Sequence, residues 1–282
     1  KLCMFLQGFF NLYYVIFYMA ILSFNNYKQY YNVKGDGYPI LFLHGLGSTG
    51  IDWKPQYDIM CVKYKCILPD LRGHGNSDKP NGPYSISQMA DDILQLIKSI
   101  ERCPVHVVGI SMGGAVAFQL AHIRPDIVKS MVIINSVSDW RMKTFGERFK
   151  LGQRKLIVRL MGMKKMGEVL ANRLLPKSEH ESLRLDFIRK WAKNDTSAYL
   201  NSLNALVDWS ISSDDLIQMK MPTLFIASDQ DYSPISKKEK IANYMPNAQL
   251  NVIKDARHAV TVEHPNQVNQ LLQSFFNQYT NL

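Results

Sequence analysis

The sequence has little cysteine: only Cys3, Cys61, Cys66 and Cys103 occur among 282 residues, and no two of them form a Cys-x-x-Cys pair. No cluster of His and Cys has the spacing of a zinc site, so we expect no metal. Cys61 and Cys66 could bridge, but a chain of this size does not need disulfide bonds, and reduced thiols are the simpler interpretation. Internal repeats and low-complexity tracts are also absent, which excludes repeat architectures and disordered polymers.

After Lys1, the beginning of the chain contains no charged residue. The run from Leu2 to Phe24 contains no charged residue and is long enough to cross a bilayer, which by itself predicts a membrane anchor. Ala20 to Val33, however, has the pattern of two strands joined by a tight Asn-Asn turn. Because Met19 directly precedes this hairpin, we interpret residues 1–18 as an upstream extension outside the fold and expect a cytoplasmic protein. A membrane anchor or a signal peptide in residues 1–18 are the alternatives.

From Tyr27 onward, short apolar runs alternate with helical patterns, which predicts a parallel sheet with crossover helices. The predicted strands after the hairpin are Ile40–Leu43, Cys66–Leu68, Val105–Val108, Met131–Ile134, Thr223–Ala227 and Leu250–Ile253. Between about residues 139 and 215 the strand pattern stops, and helical periodicity with many charges replaces it. We therefore predict an α/β core in two parts, residues 19–137 and 216–282, separated by a helical insertion of residues 138–215.

The segment Gly109-Ile-Ser111-Met-Gly113 lies where a predicted strand meets a predicted helix. This is a G-x-S-x-G nucleophile elbow in the strand–turn–helix context that the motif requires. The glycines allow the sharp turn, because a Cβ at either position would collide with neighbouring backbone. The turn lifts the Ser111 hydroxyl to a helix N-terminus, where developing negative charge is stabilised. Ser111 is therefore the candidate nucleophile.

A serine nucleophile needs a general base and an orienting carboxylate. His258 follows the last predicted strand, which brings it to the same edge of the sheet as Ser111, so we assign it as the base. Asp231 and Asp229 both follow the strand Thr223–Ala227; we choose Asp231 as the acid, with Asp229 as the rival. The histidines interpreted as structural or surface residues are His74, His106, His122 and His264.

The loop His44-Gly45-Leu46-Gly47 directly follows another predicted strand. An oxyanion hole needs two backbone N–H groups aimed at one point, and we propose those of Leu46 and Met112, the latter being the residue after the nucleophile. The other members of this loop are expected to border the substrate pocket. For His44 we prefer a structural role, bracing the loop, to any catalytic one.

Together these motifs resemble the α/β-hydrolase family in identity, order and spacing, from about Met19 to the end of the chain. The resemblance includes Asp70-Leu-Arg-Gly-His-Gly-Asn-Ser77, which by the family pattern is a structural loop behind the active site. It implies an α/β-hydrolase fold in which the insertion is a cap that shapes the substrate pocket. One departure is Ser228, where many relatives have glycine. A serine nucleophile separates the chain from haloalkane dehalogenases and epoxide hydrolases.

The resemblance and the residues together predict a hydrolase that cleaves a small-molecule carboxylic ester through an acyl-enzyme, without a cofactor. The same triad also serves hydrolysis of enol-lactones, thioesters and carbon–carbon bonds, as well as perhydrolysis, and the motifs do not choose among these substrates. A non-catalytic binding protein on this fold is the alternative from another class. No pattern in the sequence predicts the oligomeric state.

The chain is basic overall, with a formal charge of +9. Residues 138–193 contain 15 Lys and Arg against 6 Asp and Glu, so this segment holds essentially the whole excess, and we expect no general nucleic-acid surface. Within it, Phe149 to Leu170 mixes an apolar face with basic residues. Such a helix could contact an anionic membrane surface, roof an apolar pocket, or simply pack on the core.

Overall fold

The computed structural model describes residues 17–279 of the chain. Within this range eight strands form one sheet in the order β1-β2-β4-β3-β5-β6-β7-β8. β1 pairs antiparallel with β2, and β2 with β4, whereas all other neighbours are parallel. The strands are β1 Phe17–Phe24, β2 Tyr27–Lys34, β3 Tyr38–Leu43, β4 Tyr64–Pro69, β5 Val105–Ile110, β6 Val128–Ile134, β7 Thr223–Ser228 and β8 Ala248–Ile253. Every predicted strand is present, which confirms the predicted parallel sheet.

Helices cover both faces of this sheet, as parallel strands require. The described helices are α1 Lys54–Met60, α2 Ile86–Ile100, α3 Met112–Ile123, α4 Phe145–Leu174, α5 Glu181–Trp191, α6 Thr196–Val207, α7 Ser213–Gln218, α8 Ile235–Tyr244, α9 Val260–Glu263 and α10 Pro265–Tyr279. Apolar side chains of α2, α3 and α8 pack on one face of the sheet, and those of α1, α9 and α10 pack on the other. This arrangement leaves the carboxyl ends of the parallel strands free to carry loops.

The first hairpin begins earlier than the sequence suggested. Asn25 and Asn26 both have positive φ angles, of 48° and 58°, as a tight hairpin turn between twisted strands requires. The first strand, however, starts at Phe17, so Phe17 and Tyr18 belong to the sheet rather than to the extension expected over residues 1–18. The expected extension or anchor otherwise lies outside the described residues. Among residues 17–279, no helix has the length and apolar character needed to span a membrane.

Between β6 and β7 the chain leaves the sheet and forms α4 to α7. The helix α4 starts with a capping box, in which Thr144 and Glu147 satisfy each other's backbone N–H groups, and it kinks at Gly162, whose φ of 75° only glycine adopts readily. The predicted end of the insertion at residue 215 falls inside α7. Leu216 of that helix packs in the main core, so α7 belongs with the core layer.

The two ends of the insertion are joined by a short antiparallel contact, which we call the clasp. Asp139 and Ser210 form an isolated β-bridge. On either side of it, the Trp140 N–H donates to the Trp209 carbonyl at 3.1 Å, and the Ile211 N–H donates to the Ser138 carbonyl at 2.8 Å. The cap that these ends enclose, residues 140–209, lies over the carboxyl ends of the strands.

Candidate active site

Ser111 lies at the turn between β5 and α3 in a strained conformation, with φ of 54° and ψ of −116°. A residue other than glycine rarely adopts a positive φ, and such strain is typical of functional sites. The turn is as tight as its glycines suggest. A Cβ on Gly109 would clash with the backbone of Gly113, and a Cβ on Gly113 would clash with the Leu43 carbonyl. Ser136 supports the turn from below, since its hydroxyl donates to the Ser111 carbonyl at 2.7 Å.

The structure brings His258 against Asp231, with Nδ1 of the imidazole donating to Oδ1 of the carboxylate at 2.5 Å. Asp229 is engaged elsewhere, since its two oxygens accept the backbone N–H groups of Asp255 and Ala256, both at 3.1 Å. Among the hydrogen bonds of residues 17–279 there is none from the Ser111 hydroxyl to His258.

Asn135, at the end of β6, holds the loop of the base in place. Its side-chain amide donates to the Ser228 hydroxyl at 2.8 Å and to the His258 carbonyl at 3.1 Å. Its oxygen accepts the Ser228 N–H at 2.9 Å. Ser228 is thus a buried partner in this network. The network ties the ends of β6, β7 and the His258 loop together.

Lys238 is a buried charge beside the candidate acid. Its side chain is only 1% exposed, and its ammonium donates to Oδ2 of Asp231 at 2.5 Å and to the Ser233 carbonyl at 2.9 Å. Burial alone would raise the pKa of the Asp231 carboxyl, but the hydrogen bond from His258 and the charge of Lys238 bring this pKa well below its usual value. Asp231 therefore stays ionised, with one oxygen bound to the base and the other to the lysine.

We expect Lys238→Met to lower the free energy of unfolding at pH 7 by about 3–5 kcal/mol, because it leaves a buried carboxylate without its cation. The lowered pKa of Asp231 in the folded state means that this ion pair stabilises the fold above about pH 4 and is lost as the pH falls further. Urea titrations of both proteins at pH 7 measure the difference. The matched control is Lys237→Met, which removes the exposed neighbouring lysine. If Lys238→Met lowered the free energy of unfolding no more than the control does, Lys238 would not be the stabilising partner of Asp231.

The loop after β3 lies directly against Ser111. A Cβ on Gly45 would be 3.5 Å from Cβ of Ser111. His44 braces the loop, because its Nε2 accepts the Leu71 N–H at 2.8 Å and its Nδ1 donates to the Gly45 carbonyl at 2.8 Å. Burial lowers the pKa of His44, which keeps the ring neutral for both bonds. The loop position fits an oxyanion donor at Leu46.

The second proposed oxyanion donor is the backbone N–H of Met112. Met112 is the first residue of α3, and the first N–H groups of a helix have no partner within the helix. Its N–H is therefore a candidate for the second donor.

Gly47, expected to border the pocket, lies under the cap. A Cβ there would come within 2.6 Å of the Trp191 ring, and the Gly47 carbonyl accepts from the Asn194 side chain at 2.9 Å. It anchors the cap to the loop.

Ser111, His258, His44 and Gly45 open on one cavity of about 630 Å³ between the core and the cap. Much of its wall consists of apolar side chains from α4, α5 and α6, such as Leu151, Ile157, Leu170, Phe187 and Leu203. Tyr232 lies on His258, and the two rings stack at a centroid distance of 4.4 Å. A largely apolar cavity with a few polar groups at one place is the usual form of a small-molecule site.

Comparison with known proteins identifies the family. Residues 38–265 match the model of the α/β-hydrolase fold, so the chain belongs to this family, as its motifs predicted. It is 25% identical over 257 residues to the (E)-2-((N-methylformamido)methylene)succinate hydrolase of Acinetobacter baylyi, covering 89% of this chain and 95% of the relative. It is 28% identical over 256 residues to a putative carbamate hydrolase RutD of Stutzerimonas stutzeri, covering 88% and 94%.

A thermophilic esterase from Thermogutta terrifontis has the same fold, with a TM-score of 0.82 at 24% identity, over 94% of this chain and 98% of the esterase. These findings confirm the predicted fold class and place the chain among hydrolases.

Sequence reasoning missed Lys238, Asn135 and Tyr232. Lys238 lies in Ser-Lys-Lys-Glu-Lys, where each lysine resembles a solvated surface residue. Its spacing of seven residues from Asp231 carries no signal, since only the turn into α8 brings the two together. Asn135 offers one clue, because it follows a buried strand directly, at the same edge of the sheet as the other candidates.

Proposed function

We propose that the protein is a serine hydrolase that cleaves a carboxylic ester through an acyl-enzyme. The observation that carries this proposal is that His258, paired with Asp231, lines the same cavity as the strained Ser111. Ser111 attacks the ester carbonyl and passes its proton to Nε2 of His258. The backbone N–H groups of Leu46 and Met112 bind the oxyanion.

The remaining steps return the site to its starting state. His258 gives the proton to the departing alkoxide, which leaves the acyl group on Ser111. Water then enters, loses a proton to His258 and attacks the acyl carbonyl, and the acid product departs as Ser111 regains its proton. Asp231 holds the imidazole in the tautomer that accepts at Nε2 and stabilises it when charged.

Other bonds fit the same three residues. The curated relatives are named for a succinate derivative and for a carbamate, which supports amide-like or carbamate substrates as alternatives to an ester. Enol-lactones, thioesters, carbon–carbon bonds and perhydrolysis remain further alternatives on this triad. A non-catalytic binding protein is disfavoured by the paired acid and base beside the nucleophile.

Turnover of a panel of p-nitrophenyl esters, lactones and thioesters tests the proposal. With a slowly deacylating ester, mass spectrometry should detect the acyl group on the peptide that contains Ser111. Ester turnover without any acyl-enzyme, or turnover of lactones alone, would contradict ester hydrolysis by this route.

We also propose that the outer side of the cap contacts an anionic membrane surface. Phe145 is 85% exposed and Leu160 is 74% exposed on α4, and Arg148 and Arg159 are exposed on the same helix. Apolar side chains that insert, flanked by cations that bind headgroups, are typical of interfacial helices. Ile157 and Arg154 of the same helix line the cavity and are not part of this outer face.

Sedimentation with vesicles tests the lipid contact. The protein should bind vesicles that contain phosphatidylglycerol, and less so as salt rises, because each exposed Lys or Arg near such a surface contributes about 1 kcal/mol. The double variant Arg148→Glu, Arg159→Glu should lose this binding. The matched control, Lys98→Glu with Lys220→Glu, changes the net charge equally on the core. Equal loss in both variants, or no binding by the wild type, would contradict the contact.

A further inference from the structure

The charged side chains around the cavity are unevenly paired. Four cations line it: Lys150, Arg154, Arg173 and Lys190. Lys190 is neutralised by Asp52 and Asp186, each at 2.8 Å. The third lining carboxylate, Glu147, is occupied with the backbone N–H groups at the start of its own helix. Within residues 17–279, neither Arg154 nor Arg173 has a carboxylate within ion-pair distance, so the cavity wall keeps an excess of positive charge.

Arg173 is held close to the base by aromatic stacking. Its guanidinium lies over the Tyr232 ring, 4.5 Å from the centroid, and the His258 ring stacks on the same Tyr232 ring at a centroid distance of 4.4 Å. A permanent cation and the imidazole of the proposed base therefore pack against one aromatic ring. Stacking on an aromatic face uses none of the five N–H donors of an arginine, so those donors stay free for a ligand.

Arg154 lines the same cavity from the first half of α4. Its Nε donates to the hydroxyl of Tyr199 at 2.7 Å, and Tyr199 itself is buried. This bond fixes the direction of the side chain but leaves the two terminal nitrogens available. Both guanidinium groups therefore line the cavity onto which Ser111 and His258 open.

We propose that the cavity takes an ester that carries a carboxylate, bound by Arg154 and Arg173. Guanidinium groups recognise a planar carboxylate through paired N–H donors, and two fixed in advance lose little freedom on binding. Since the rest of the wall is largely apolar, a singly charged carboxylate is less costly to desolvate there than a phosphate dianion. The inference rests on the proposed ester hydrolysis and adds the substrate class to it.

Two methyl esters of equal chain length test the inference: monomethyl adipate, which carries a carboxylate, and methyl hexanoate, which does not. We expect the wild type to favour the acid by about 10- to 100-fold in kcat/KM, the range for hydrogen bonds to a charged group. Arg173→Met and Arg154→Met should each lower this ratio at least tenfold, mainly through KM. Arg173→Lys should keep part of it, since the charge remains but the paired donors are lost.

Arg102→Met is the matched control, because Arg102 is an exposed arginine of the core that does not line the cavity. It should leave the ratio unchanged. A wild-type ratio of one or less overturns the inference, and so does a ratio that Arg173→Met and Arg102→Met alter equally. Melting temperatures of all variants, measured alongside, separate a lost subsite from a lost fold.

Binding without turnover separates this inference from the proposed function. Calorimetry with adipate and the Ser111→Ala variant should show binding that disappears when Arg154 and Arg173 are also replaced by Met. Adipate binding of this kind supports the carboxylate subsite even where neither ester is turned over, an outcome that would reject the ester chemistry alone. Hydrolysis of methyl hexanoate with no preference for monomethyl adipate would reject the subsite and leave the hydrolase standing.

Discussion

Ser111→Ala is expected to abolish ester turnover, with kcat lower by about 10⁶-fold, the loss found when the nucleophile of a serine triad is removed. The reason is that no acyl-enzyme forms without the hydroxyl, while the oxyanion donors and the cavity still bind the substrate. The fold should remain, because the strained backbone of residue 111 is imposed by the glycines around it and the carbonyl still accepts from Ser136. Initial rates on p-nitrophenyl butyrate measure the loss.

Labelling with a fluorophosphonate tests independently whether Ser111 is the nucleophile. The probe should modify the wild type at one residue and should leave Ser111→Ala unlabelled. Ser48→Ala is the matched control, because Ser48 also lines the cavity but its hydroxyl donates to Asp52 at 2.6 Å. Its labelling should persist. Modification of any serine in Ser111→Ala would reject the assignment of the nucleophile.

The second large effect concerns the acid. Asp231→Asn should lower kcat by about 10⁴-fold, because an amide at this position cannot stabilise the imidazolium and favours the wrong tautomer of His258. It also replaces the carboxylate that Lys238 neutralises, so the loss of activity should come with a loss of stability. Steady-state kinetics at pH 7 to 8 measure the first effect, and urea titration measures the second.

Asp229→Asn is the natural comparison, since it makes the same chemical change two residues earlier. Asp229 accepts backbone N–H groups of the turn after β8 and does not hold the base, so its replacement should reduce kcat far less. If Asp229→Asn proved the more damaging of the two, the acid would have to be reassigned in spite of the geometry.

Local patterns were sufficient to predict the sheet and the residues that end its strands. The elbow around Ser111 is a contiguous motif, and Asp231 and His258 follow predicted strands whose carboxyl ends must meet at one edge. Local patterns could not predict the first residue of β1. In an uncharged apolar run, nothing distinguishes Phe17 from Ala20 as the first residue to pair.

The contacts that shape the site depend on tertiary structure. Lys238 is buried because α8 turns back over the end of β7. The spacing of residues along the sequence does not predict that turn. The pairing of Arg173 with Tyr232 joins the cap to the core across more than fifty residues of sequence. The sequence left open whether the basic helix that contains Arg154 contacts a membrane, roofs the pocket or packs on the core, because helical periodicity gives the width of an apolar face but not what that face packs against.

The clasp has a consequence for how such an enzyme diversifies. Since Asp139 and Ser210 are bridged, the cap leaves and re-enters the core at adjacent points, and the gap between β6 and β7 is closed without it. Insertions and deletions between these two points leave the register of β6 and β7 unchanged. Trp191 and Asn194, which hold Gly47, couple the cap to the loop after β3, and Arg173 couples it to Tyr232. A change in the cap that keeps these contacts can therefore alter the cavity wall without altering the strands whose ends carry Ser111, Asp231 and His258.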